Sequence, residues 1–306
     1  MITPDALPRG IVTPLVTFLD ADGEPDAAAM AALVESQLAA GIHGLLAVGS
    51  TGELGTLTPA RRARTIEIVA DAVDGRVPVW AGVVGHGTDD AVLAAREAEN
   101  AGAGALLVLP PMFFDSSDTE LERHFTLVAD AVDVPVVAYD VPPRTPRKLP
   151  AGVIANLARS GVLAGVKDSS GDLTAGRLMV DAVAGIDGFR SYIGSEITID
   201  AAFVLGFDGI VPGFANVLPR PAVELFEAAV DGRVDAEAQR RYLELFEVLR
   251  VPLAGGGGPA TAINALKTGA AHMLGLALPP VAEPFTQPDA VFAERIAAIV
   301  DVAAGR

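Results

Sequence analysis

The stretch Val162-Leu163-Ala164-Gly165-Val166-Lys167-Asp168 runs an apolar segment straight into a lysine. Lysine is scarce: only Lys148, Lys167 and Lys267 occur among 22 basic residues. A short apolar run bounded by Gly161 and Gly171 reads as a strand buried on both faces, with Lys167 at its C-terminal end. Desolvation at such a place disfavours an ammonium. A neutral amine can attack a ketone and form a Schiff base. A strand-end lysine can equally snorkel to water, so the residues around it must decide.

Other segments bring groups suited to that chemistry. Gly49-Ser50-Thr51-Gly52-Glu53 sets two hydroxyls and open backbone N–H groups between glycines, a cradle for a small carboxylate or an ordinary turn. Tyr139 opens the run Tyr139-Asp140-Val141-Pro142-Pro143-Arg144-Thr145-Pro146-Arg147-Lys148-Leu149-Pro150. A phenol near a lysine can move protons while an imine forms and breaks, although a core tyrosine with a satisfied hydroxyl reads the same way. The prolines stiffen the loop, which presents Arg144, Arg147 and Lys148, the densest positive patch of the chain. An arginine fork suits a second carboxylate; a solvated loop is the plainer reading. Pro110-Pro111-Met112-Phe113-Phe114 is an apolar loop, expected to be buried in this chain or at a subunit interface. His43, His86, His124 and His272 lack metal-ligand spacing, so no metal is expected. No G-x-S-x-G motif supports a serine hydrolase.

The elements that must position these groups alternate. Strands are predicted at Ile11–Val16, Gly44–Val48, Val77–Val84, Ala105–Leu109, Pro135–Tyr139, Val162–Val166, Phe189–Ile193 and Gly209–Val211. Helices follow each, opened by Asp26, Thr58-Pro59, Thr88, Asp118, Leu149-Pro150, Asp172, Glu196 and Pro221. Eight strand–helix units are the arithmetic of a closed parallel barrel. An open doubly wound sheet would want a G-x-G-x-x-G loop after its first strand, which is missing. Beyond Asp231-Gly232 only helices are read, over Asp235–Arg250, Ala260–Leu274 and Asp289–Ala304, with Gly255–Gly258 and Pro259 separating the first two. The division expected is therefore an α/β, (β/α)8 TIM barrel over residues 1–231 and a C-terminal three-helix region over 232–306. In such a barrel, function sits where strands end and helices begin.

Composition narrows the partners. A net charge of −17 repels nucleic acid and anionic membrane, so an anionic substrate needs local positive charge. No uninterrupted apolar stretch is long enough for a membrane span. The start, Met1-Ile2-Thr3-Pro4-Asp5, lacks the basic and apolar regions of a secretory signal. With no cysteine there is no disulfide framework, which fits a cytoplasmic protein.

The three segments Gly49-Ser50-Thr51-Gly52-Glu53, Tyr139-Asp140-Val141-Pro142-Pro143-Arg144-Thr145 and Gly165-Val166-Lys167-Asp168-Ser169-Ser170-Gly171 resemble, in order and spacing, the signatures of the dihydrodipicolinate synthase and N-acetylneuraminate lyase family. The resemblance implies a (β/α)8 barrel with a C-terminal three-helix region, and a Schiff base between pyruvate and Lys167. It assigns proton transfer to Tyr139 and the pyruvate carboxylate to Ser50 and Thr51. It further implies a backbone carbonyl lent by Val211, and a carboxylate of the aldehyde substrate held by Arg144. It implies a homodimer or homotetramer, and no cofactor beyond pyruvate itself. Phe113 matches a tyrosine that the neighbouring subunit contributes in the synthases, but without the hydroxyl. Ser50 stands where synthases usually have threonine, and Gly255–Gly258 where the family often has an Asn-Pro-rich turn.

The leading expectation is a pyruvate-dependent lyase of the dihydrodipicolinate synthase kind, using aspartate semialdehyde. The alternatives are a 2-keto-3-deoxy-sugar-acid aldolase or dehydratase using the same imine, and a non-catalytic relative that keeps the pocket. A pyridoxal enzyme is more remote, because no phosphate-binding glycine loop stands out near the seventh or eighth strand.

Overall fold

Eight short parallel strands pair in chain order, and the eighth returns to the first, closing a barrel. The structure, a computed structural model, describes residues 6–306. Residues 1–5, read above as free of a leader, lie outside it. The strands are β1 (Gly10–Pro14), β2 (Gly44–Ala47), β3 (Val79–Val83), β4 (Ala105–Val108), β5 (Val136–Asp140), β6 (Gly165–Asp168), β7 (Arg190–Ile193) and β8 (Gly209–Ile210). Apart from Arg190 they are buried throughout, because barrel interior and helix layer cover both faces. Closure rests on one tight crossing: a Cβ on Gly209 would stand 2.4 Å from the Gly10 carbonyl oxygen, so only glycine fits there. Trp80 and Tyr192 meet edge to face at 4.9 Å inside the barrel. Their polar tips donate to the carbonyls of Ala6 and Pro8, which satisfies two otherwise costly buried groups.

The helices around the barrel are α1 (Ala27–Ala39), α2 (Pro59–Val73), α3 (Thr88–Asn100), α4 (Asp118–Ala129), α5 (Ala151–Arg159), α6 (Leu173–Val183), α7 (Ile199–Val204) and α8 (Pro219–Val230). Asp26, Thr58 and Asp172 cap their helices as read from the sequence. Two starts differ. Ser117, not Asp118, caps α4 through a reciprocal capping box with Glu120. Thr88 sits inside α3, its hydroxyl engaged with His124 Nδ1 at 3.0 Å. A 3-10 turn, Glu196–Thr198, precedes α7 and takes its place at the barrel mouth.

Past the barrel lie α9 (Ala236–Leu243), α10 (Gly258–Met273) and α11 (Ala290–Ala303). The helix expected over 235–250 is α9 followed by a separate 3-10 segment, Glu244–Arg250. These helices lie against the barrel mouth: Ala262, Ile263 and Leu266 of α10 and Phe246 help wall the pocket described next. Among the described residues no helix is long and apolar enough to cross a membrane.

Candidate active site

Strand β6 reaches further than expected. It begins at Gly165 and includes Lys167 and Asp168, so Lys167 is held in the ladder rather than just beyond it. Lys167 pairs in register with Tyr139 of β5 on one side and Tyr192 of β7 on the other. Its Nζ lies 4.5 Å from the centre of the Tyr139 ring. Lys167 and Tyr139 are 5% and 4% exposed, so their contact is nearly dry. A Cβ on Gly194 would stand 2.1 Å from Ser169 Oγ and 3.3 Å from Lys167 Cε; glycine there leaves the lysine side chain its room.

Tyr139 OH lies 3.4 Å from Ser50 Oγ. Burial alone would raise the phenol's pKa. The Lys167 charge, hydrogen bonding from Ser50 and Ser169 and the Arg144 charge outweigh it, so the phenol is held below the usual tyrosine range. That suits a group that must give and regain a proton beside an amine. Of the three tyrosines, Tyr139 alone lines the pocket; Tyr192 faces the barrel floor and Tyr242 binds Glu196.

The pocket holds about 350 Å³ and is lined by Ser50, Thr51, Tyr139, Arg144, Lys167 and Val211 among others. Every pocket residue named from the sequence is thus brought together at the C-terminal ends of the strands. Phe113 is not. It is 71% exposed and stacks edge to face on Phe114 at 4.9 Å. The apolar loop is therefore buried in this chain only at Pro110 and in part at Pro111 and Met112, while its tip is exposed, contrary to one of the two expectations for it. Phe113 lines a different groove of about 540 Å³, with Arg62, His86 and Leu93. That groove is larger than the Lys167 pocket but contains neither amine nor phenol, so size does not locate the chemistry.

The basic loop after β5 separates into three fates. Arg147 donates to the Ser116 carbonyl at 2.9 Å and pairs with Asp118 at 2.8 Å. Lys148 turns away from the pocket and bridges Asp140 and Asp168, reaching the latter at 3.0 Å and Ser170 Oγ at 3.1 Å. Side chains alternate along a strand, so Asp140 and Asp168 face opposite to Tyr139 and Lys167. Burial works to lower the Lys148 pKa, but the two carboxylates outweigh it and raise it. Arg144 makes no salt bridge among the described residues and stands exposed at the pocket rim.

Two residues at the mouth escaped sequence reasoning. Glu196 lines the pocket, and its carboxylate accepts from Gly213 N at 2.7 Å, Phe214 N at 3.0 Å and Tyr242 OH at 2.5 Å. Burial pushes its pKa up to about 7, against the lowering effect of these donors and of Lys167. Tyr242 reaches it from α9, across the boundary between barrel and C-terminal region. Three of the four histidines are structural: His43 Nδ1 accepts from Ile11 N, His124 is fixed by Thr88 and the Leu109 carbonyl, and His272 meets Asp301 at 2.8 Å, while His86 is exposed. Among the described residues no group of three or more His, Asp or Glu is arranged to hold a metal ion.

An amine and a phenol in one dry contact, beside hydroxyls on an open loop, can bind a 2-oxo acid and condense with it. Comparison with known proteins points the same way. The sequence profile of the Dihydrodipicolinate synthetase family matches residues 7–301. The chain belongs to this family. A 4-hydroxy-tetrahydrodipicolinate synthase of Salinibacter ruber is 35% identical over 248 residues, 80% of this chain and 81% of that protein. An uncharacterized DapA-like lyase of Halobacterium salinarum is 37% identical over 241 residues, 78% of either chain. Among solved structures, a prophage protein of E. coli belonging to the dihydrodipicolinic acid synthase family, in complex with pyruvate, superposes with a TM-score of 0.88. It shares 27% identity and covers 97% of this chain and 98% of its own.

Proposed function

We propose that the protein is a Schiff-base-forming lyase that joins pyruvate to an aldehyde, in the manner of dihydrodipicolinate synthase with aspartate semialdehyde. The observation that carries this reading is the in-register pair of Lys167 and Tyr139, with Nζ 4.5 Å from the phenol ring in a pocket shared with Ser50 and Thr51. Relatives that bear the synthase name support the choice of aldehyde, as does Arg144 at the rim.

In this reading Ser50 and Thr51 hold the pyruvate carboxylate. The Lys167 amine attacks the ketone carbon, and Tyr139 delivers the proton with which the carbonyl oxygen leaves as water. The resulting iminium is the electron sink, so the lysine does what a separate cofactor does elsewhere, and none is invoked. The Tyr139 phenolate left by the loss of water takes a methyl proton to give the enamine, whose terminal carbon attacks the aldehyde; the new alkoxide then takes this proton from Tyr139. Water then releases the product and restores the amine. Val211, whose N–H donates to the Ile193 carbonyl at 2.9 Å, keeps its own carbonyl for the pocket in this scheme. With aspartate semialdehyde, the product would serve lysine biosynthesis.

A sugar-acid aldolase or dehydratase on the same imine is the second reading. Glu196 favours it, since a carboxyl pushed up to about 7 can hydrogen-bond a polyhydroxy chain in the pocket. A panel of aldehydes with pyruvate separates the two: turnover of aspartate semialdehyde well above sugar-derived aldehydes supports the synthase, and the reverse order supports the aldolase. Self-association as a dimer or tetramer belongs to the proposal. Phe113 and Phe114, 71% and 75% exposed, offer an apolar surface that a second copy would cover, which light scattering can test.

A further inference from the structure

Glu53 closes the loop that carries Ser50 and Thr51, yet it does not line the Lys167 pocket. It is buried, and takes Lys267 Nζ at 2.7 Å and Ala282 N at 2.9 Å. The two charged side chains are 0% and 1% exposed. Lys267 belongs to α10, 214 residues away in the chain, and Ala282 to the segment after it. The mechanism proposed above uses neither group. A buried ion pair contributes little net stability, since apolar residues of similar volume often do as well; its better-attested use is to fix one arrangement among several.

The arrangement in need of fixing is the loop itself. Val48, with φ of +45°, and Glu53, with φ of +64°, flank it. Side chains with a Cβ rarely adopt such angles, and they persist only where the surroundings over-determine them. Within the loop the ties are weak: Glu53 N reaches the Ser50 carbonyl at 3.3 Å and Leu54 N the Gly49 carbonyl at 3.2 Å. From outside the loop, Thr17 Oγ1 donates to the Gly52 carbonyl at 2.8 Å, and the one charged tie is the ion pair. The same helix walls the pocket one residue earlier, through Leu266.

We propose that the Lys267–Glu53 pair is the positioning device of the carboxylate cradle, so that helix α10 of the C-terminal region sets the affinity of the barrel for its 2-oxo acid. The inference rests on reading Ser50 and Thr51 as that cradle. Lys267 and Glu53 act through the loop, not on the substrate.

The test uses the full chain and the double variant Glu53→Gln/Lys267→Met, which removes both charges at similar volume and leaves no orphan ion. Pyruvate is titrated against borohydride trapping, and amide exchange is followed in the substrate-free protein. A cradle that loses its register loses at least one charge-assisted hydrogen bond to the carboxylate, so half-saturating pyruvate rises ~10-fold or more, while turnover at saturation changes little. Amides of residues 49–54 exchange faster, and the thermal midpoint holds or rises. Parental half-saturation in the double variant overturns the proposal, as does unchanged exchange over 49–54. A double variant that cannot fold overturns it too, because the pair would then be a folding element. If the parent itself is not trapped by pyruvate, the Schiff-base reading fails separately, and the exchange measurement still decides whether the pair holds the loop.

Discussion

Replacing Arg144 by alanine removes the one cation of the β5 loop that is not already engaged. Arg147 is tied to Asp118 and the Ser116 carbonyl, and Lys148 to Asp140 and Asp168. In the proposed mechanism Lys167 becomes an iminium once pyruvate is bound, and Ser50 and Thr51 hold its carboxylate. A carboxylate on the second substrate is therefore left to Arg144. A charge-assisted hydrogen bond contributes ~1.5–3 kcal/mol, and the exposed position of Arg144 at the rim favours the low end. At about 1.4 kcal/mol per decade, Arg144→Ala should raise KM for aspartate semialdehyde roughly tenfold. Trapping of pyruvate on Lys167 should stay near the parent's. The Arg144 charge also helps to hold the Tyr139 phenol below its ordinary range, so the variant's alkaline limb should move up in pH. Steady-state kinetics against acidic and neutral aldehydes is the assay. Equal damage with both kinds of aldehyde would refute the reasoning and leave Arg144 a structural loop residue.

Tyr139→Phe should lower kcat by about 10²- to 10⁴-fold through loss of the proton shuttle, with little change in thermal midpoint; a loss of only a few-fold would make the phenol structural. Lys148→Met orphans two buried carboxylates and should destabilise by about 3 kcal/mol, at the low end for a broken buried pair because the ammonium is partly open; urea unfolding showing under ~1 kcal/mol would refute the clamp. Glu196 keeps its proton to about pH 7 when folded and releases it near 4.5 when unfolded. The folded state binds more protons between those values, so the Glu196 contribution to stability falls as pH rises through that window. Water reaches part of the side chain, which reduces the expected fall to about 1–2 kcal/mol. Unfolding of the parent and Glu196→Gln at pH 5 and 8 should show that difference, and a constant offset would contradict it.

The barrel was legible because each apolar run is short and buried on both faces, and because Asp26, Thr58-Pro59 and Asp172 mark helix starts by local chemistry. That Lys167, Tyr139, Ser50 and Thr51 share one pocket was legible because strand ends are where such groups converge in this architecture. What escaped depends on contacts between distant segments. Nothing near Glu196 announces that Tyr242, 46 residues on, will donate to it. Lys267 showed only as a rare lysine, since its partner lies 214 residues away. Lys148 was read as part of one positive patch, although strand alternation already turned Asp140 and Asp168 away from the pocket and towards it. The 3-10 segment Glu244–Arg250 replaced the end of a helix whose apolar pattern looked continuous.

The most direct measurement is the mass and position of the adduct formed when the protein is reduced with borohydride in the presence of pyruvate. The expected result is a single reduced pyruvyl group on Lys167, lost in Lys167→Arg, because arginine keeps the charge but cannot form the imine. Absence of an adduct, or its appearance on Lys148 or Lys267, would contradict the Schiff-base mechanism.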